Sequence, residues 1–174
     1  LQQYKERGNQ GMVRKMEDIP MTKTDDIPIS YMLLRDTAMH KLGVGTMHNM
    51  DSILLGIIFP SLGCPDYTLR EKVNMWRGKA HSGIAVLWDT MLATDLSETV
   101  TEFEIPIYFM EGVYDYTVSY TYAKSYFEKI NAPVKGFYTF DNSAHSPMFE
   151  EPRKMQEILQ YDVLSGKSDL TDRN

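Results

Sequence analysis

The stretch IPIYFMEGVYDYTVSYTYAKSYFEKINAPVKGFYTFDNSAHSPMFEE, Ile105 to Glu151, decides the fold. It holds two short apolar runs, Ile105 to Met110 and Gly136 to Phe140, each rich in β-branched and aromatic residues and bounded by turn formers, as buried strands are. Between them, Val118 to Ile130 sets Ala123, Tyr126, Phe127 and Ile130 at helical spacing. The unit reads strand, helix, strand, and two strands joined in this way are expected to run parallel with a right-handed crossover.

In an open parallel sheet, ligands bind beyond the carboxyl ends of the strands. The first run is followed by Glu111-Gly112-Val113-Tyr114-Asp115 and the second by Asp141-Asn142-Ser143-Ala144-His145, so a carboxylate and an imidazole leave neighbouring strand ends on the same side. A buried carboxylate that accepts the imidazole N–H fixes its tautomer and stabilises the imidazolium formed when the other nitrogen takes a proton from a nucleophile. Asp115, Glu111 and Asp141 are all candidate partners for His145 on this ground. The plain alternatives are a turn-forming carboxylate and a loop histidine that satisfies local backbone groups.

Ile105-Pro106, Gly112-x-x-Asp115, Ala132-Pro133-x-Lys135, Asn142-Ser143-Ala144-His145-Ser146-Pro147 and Glu150-Glu151-Pro152 together resemble the C-terminal end of α/β-hydrolases of the proline iminopeptidase-like branch. Trp76-Arg77-Gly78, Ser82 and Leu87-Trp88 are similar to the helical cap inserted into such enzymes, and Tyr4 to Ile19 resembles the helix that leads into it. The resemblance is close from about Glu104 onward and loose before it. It implies an α/β fold in which a helical cap segment, residues 1–100, precedes the C-terminal βαβα portion of an α/β-hydrolase, residues 101–164, with the N-terminal half of the sheet absent. Residues 165–174 are expected to form a flexible tail.

By the same resemblance, His145 is general base and then general acid, and Asp115 orients it. The order acid then histidine agrees with the family order Ser, acid, His. No G-x-S-x-G occurs in the sequence, so the nucleophile and the oxyanion donors are expected from outside these residues, and this chain alone is expected to be inactive. The reaction implied is hydrolysis of an amide or ester through an acyl-enzyme, with release of an N-terminal proline from a short peptide as first choice. A carboxylic ester or lactone is the second choice. The resemblance implies no metal and no organic cofactor. A rival of a different class is a non-catalytic binding or assembly module that retains acid and base by descent.

Composition limits the partners. A net charge of −6 argues against nucleic acid and against an anionic membrane surface, both of which require clustered Lys and Arg. The apolar run Ile53 to Phe59 is far too short to span a bilayer, and no secretion signal opens the chain. Cys64 is alone, which rules out an internal disulfide and fits a reducing, cytoplasmic setting. His40, His48 and His81 lack metal-ligand spacing and are read as packing or surface residues. Glu98, Glu102 and Glu104 are read as solvated acids, with capture of a substrate amine as the functional alternative. The tyrosines 114, 116, 120, 122 and 126 are read mainly as helix-to-sheet packing, with a stacking surface as alternative.

The first half reads as helical. Tyr4 to Met16 reads as a helix interrupted by Gly8 and Gly11, and a polar turn follows from Ile19 to Asp26. A helix from Pro28 carries Tyr31, Leu34, Arg35, Ala38, Met39 and Leu42 at helical spacing until Gly43 stops it, and Ser52 to Phe59 is a short helix too apolar for exposure, ended by Pro60. Asp66 caps a helix with Leu69, Val73, Trp76 and Ala80 on one face, and another runs from Ser82 to Met91. Glu150-Glu151-Pro152 opens a last helix whose acids suit its positive start. Two parallel strands do not make a stable sheet alone. An N-terminal half carrying the remaining strands is expected to complete it, Leu1 being taken as the start of a truncation, with a homodimer through the exposed sheet edge as the other solution.

Overall fold

The computed structural model describes residues 1–19, 29–82 and 86–173. The expected polar turn and Pro28 lie largely outside them. The first helix is two: α1 (Gln2–Glu6) and α2 (Gln10–Glu17) are separated at Gly8, whose φ of 67° ends α1 and lets Asn9 cap α2 through Met12 N–H. Helix α3 (Ile29–Lys41) packs on them, burying Tyr4, Met12, Val13 and Ala38, with the Tyr4 hydroxyl donating to Ala38 O at 2.8 Å.

Residues 54–100 depart from the sequence reading. A π-helical turn, Leu54–Ile58, runs directly into α4 (Phe59–Gly63), so Pro60 lies within a continuous helical segment, just after its π-turn, rather than ending the helix. Helix α5 (Leu69–Ser82) is capped by Thr68, not Asp66: Glu71 accepts from Thr68 N–H at 2.8 Å while Thr68 Oγ1 accepts from Glu71 N–H, a reciprocal capping box. Helices α6 (Val86–Ala93) and α7 (Leu96–Thr99) follow. Leu54, Leu55, Phe59, Leu69 and Leu87 are each more than half exposed, so these apolar positions are unpartnered among the described residues. No described helix is long and apolar enough to cross a membrane.

The second half holds the sheet. β1 (Ile107–Gly112) and β2 (Lys135–Phe140) pair in parallel from Ile107↔Lys135 to Gly112↔Phe140, joined by α8 (Tyr120–Lys129). Alternation divides the two faces. Phe109 and Phe137 meet Phe127 of α8, while Tyr138 and Phe140 pack with Met155 and Ile158 of α10 (Pro152–Ile158), which follows the short α9 (Pro147–Glu150). With both faces covered, the strands read as nearly continuous apolar runs.

The two edges of this sheet differ. Along β2, residues 165–173 are fastened where a flexible tail was expected: Asp172 N–H donates to Phe137 O at 2.9 Å, and Thr139 N–H donates to the Asp172 carboxylate at 2.9 Å. The fully buried Asp162 carboxylate anchors this segment by accepting from Tyr138 Oη at 2.7 Å, Leu170 N at 2.8 Å and Asp169 N at 3.0 Å. Along β1, the N–H groups of Ile107 and Val113 point to β2, so those of Tyr108, Met110 and Gly112 face the other way. No strand among the described residues covers them.

Candidate active site

Both strands end at the same height, and the loops leaving them touch. Val113 N–H donates to Phe140 O at 3.1 Å and Tyr114 N–H to Ser143 O at 3.1 Å. Gly112 permits this, since a Cβ there would run into the carbonyls of Ser143 and Ala144. The chain then turns through Asp115 N–H to Gly112 O, 3.0 Å, and buries the Asp115 side chain. Its Oδ1 accepts from Thr117 N at 2.8 Å and Val118 N at 3.1 Å, leaving Oδ2 for another donor.

That donor is His145. Its Nδ1 lies 2.7 Å from Asp115 Oδ2, and the ring is 41% exposed while Asp115 is 3% exposed. With Nδ1–H donating to the carboxylate, Nε2 carries the lone pair. Among the described residues Nε2 has no hydrogen-bond partner. The arrangement can take a proton from an outside hydroxyl and hold the resulting imidazolium against a buried carboxylate.

The His145 loop is held by two carboxylates whose role the sequence reading missed. Glu151 Oε1 accepts from Asn142 N at 3.0 Å and Ser143 Oγ at 2.7 Å, and Glu150 Oε2 accepts from Ala144 N at 2.8 Å. These acids therefore satisfy loop amides rather than only a helix dipole. Glu150 Oε1 also accepts from His48 N–H, and the His48 ring stacks on Tyr114 at 3.7 Å between centroids.

Of the three carboxylates weighed for His145, the structure brings Asp115 to it. Asp141 is exposed in its turn. Glu111, level with Thr139 on β2, makes no hydrogen bond to the imidazole; its half-buried carboxyl is pushed up to about 7, first by burial, then by the neighbouring Asp115 charge, with His145 opposing.

The other candidates fall to packing or surface. His40 is buried with Nδ1 2.8 Å from Asp36 O and Nε2 accepting from Thr46 N–H at 3.1 Å, and His81 is exposed. No three described His, Cys, Asp or Glu residues group as a metal site. Tyr120 and Tyr126 pack between α8 and the sheet, whereas Tyr116 and Tyr122 are exposed. Glu98 pairs with Lys129 at 3.2 Å and Glu102 accepts from Asn131 Nδ2 at 3.0 Å. A cleft of about 790 Å³ between α7 and α8, floored by Phe109, is lined by neither His145 nor Asp115.

A known protein shares this sequence in part. The chain is similar to a protein named as an aminopeptidase. It is 30% identical over 105 residues to "Probable aminopeptidase YbaC" of Bacillus subtilis, across 60% of this chain and 33% of that protein. The chain thus spans about a third of the length of this relative. No family model and no solved structure matches it.

Proposed function

We propose that this chain is the cap segment and the acid–base portion of an α/β-hydrolase that cleaves amide or ester bonds by Ser-His-Asp acyl-enzyme chemistry. The observation that carries the reading is the 2.7 Å contact of His145 Nδ1 with the buried Asp115 carboxylate, beyond the carboxyl ends of two adjacent parallel strands. In this reading a serine from outside these residues gives its proton to His145 Nε2 as it attacks the carbonyl, and His145 returns that proton to the leaving amine. The substrate is the N-terminal residue of a short peptide, and the likeness to a protein named as an aminopeptidase supports an amide over an ester; the preference for proline rests on the sequence resemblance alone.

The uncovered β1 edge, the exposed apolar residues of 54–100 and the outward His145 Nε2 support a sheet and a cleft completed by further chain. The setting proposed is cytoplasmic. The test is release of arylamine from a proline arylamide. The full-length protein should turn it over and lose at least about 10³-fold as His145→Ala, while residues 1–174 alone do nothing. Turnover by these residues alone, abolished by His145→Ala, contradicts the reading.

A further inference from the structure

Helix α3 reaches across the molecule to the loop that holds the acid. Arg35 Nη2 donates to Tyr116 O at 3.1 Å and to Thr117 O at 3.2 Å, 81 and 82 residues further along the chain. The N–H ends of the same two peptide units, Thr117 N and Val118 N, are the donors to Asp115 Oδ1. Each of these peptides is therefore gripped at its carbonyl by a guanidinium and at its N–H by a carboxylate. A cation on the carbonyl polarises the peptide and strengthens the N–H as a donor, and hydrogen bonds in such chains reinforce one another. Arg35 and Asp115 thus hold opposite ends of the same two peptide groups without touching.

A second arm leaves the same segment. Gly43, with φ of 72°, turns the chain after α3, and His48 then places its ring on Tyr114 and its backbone N–H on Glu150, whose other oxygen holds Ala144 N–H. Residues 35–48 therefore brace the neighbours of Asp115 and those of His145 at once.

We infer that Arg35 is a positioning residue for the Asp115–His145 pair, acting through the peptide units Tyr116–Thr117 and Thr117–Val118 to hold the Asp115 carboxylate with Oδ2 turned to the imidazole. The inference rests on the proposed function for its kinetic consequence, but its geometric content is independent of any substrate.

The experiment uses the full-length protein with Arg35→Met, which keeps an apolar stem and removes the charge, and Arg35→Lys, which keeps the charge. All are measured at a temperature where circular dichroism shows each fully folded. The first readout needs no substrate: the downfield proton resonance of His145 Nδ1–H, assigned by its loss in His145→Ala. It should broaden or move upfield in Arg35→Met and be largely restored in Arg35→Lys. In turnover, kcat of Arg35→Met should fall about 10- to 100-fold with KM within about threefold, the signature of a misplaced catalytic group rather than of lost binding. An unchanged resonance in Arg35→Met overturns the inference, whether kcat holds, as for a merely structural residue, or falls, as for one that touches substrate. A resonance that responds as expected in a protein that turns over no amide or ester sustains the inference and removes the hydrolase reading alone.

Discussion

A Cβ built on Gly112 would collide with the carbonyl oxygens of Ala144 and Ser143, so the lack of a side chain at Gly112 is what lets the acid loop and the base loop meet. Gly112→Ala should therefore separate them. Overpacking of this kind costs about 1–3 kcal/mol, read as a lower urea midpoint, and any hydrolytic activity should fall in the protein that stays folded. An unchanged midpoint would show that the loops have slack at this point.

Tyr138 is tied to Asp162, and Asp162 to the last residues. Burial and the adjacent carboxylate push the Tyr138 hydroxyl well above the ordinary phenol range. Tyr138→Phe removes one of the donors to a fully buried carboxylate and should cost about 1.5–3 kcal/mol in denaturant unfolding. Amide exchange at Leu170 and Asp172 should speed up in the same variant. Exchange already fast in the unsubstituted protein would mean the segment is not held as described.

Glu111 sets a pH dependence with a definite sign. Its carboxyl is raised from 4.5 to about 7, so the folded protein binds the proton more tightly than the unfolded chain does. Stability from this group is greatest below pH 4.5 and declines as pH rises towards about 7, above which it is flat. Glu111→Gln should flatten that decline in urea midpoints measured across the interval, and an equal decline in both proteins would assign the effect elsewhere.

Asp115→Asn tests the polarity of the central contact. The amide can still reach His145 Nδ1, but its N–H₂ favours the wrong tautomer, with the proton on Nε2 where the base must be free. A loss of about 10⁴-fold in kcat for the full-length protein, with the fold retained by circular dichroism, is expected. Retention of most activity would remove Asp115 from the mechanism.

The two strands and the helix between them were legible because each is local: apolar runs of strand length and a helical period. That a carboxylate could meet His145 followed from the parallel strand ends, but three carboxylates stood there, and it was the resemblance of Gly112-x-x-Asp115 to a family pattern that singled out Asp115. What was not legible depends on contacts without a period. Arg35 finds its carbonyls 81 and 82 residues away, and its place in the helical repeat of α3 says nothing of those partners. Glu150 and Glu151 read as helix-start acids, yet loop amides just upstream take their oxygens. Residues 165–173 carry little apolar content and looked loose; one buried aspartate collects their backbone donors. The apolar periodicity of residues 54–100 suggested buried faces, and Leu54, Leu55 and Leu69 lie exposed because no described element packs on them.

The most direct measurement is fluorophosphonate labelling of the full-length protein, with the modified peptide identified by mass spectrometry and His145→Ala labelled in parallel. One labelled serine is expected, outside residues 1–174, whose labelling rate collapses when His145 is replaced. No labelling of active, folded protein, or labelling that is indifferent to His145, would contradict the proposed function.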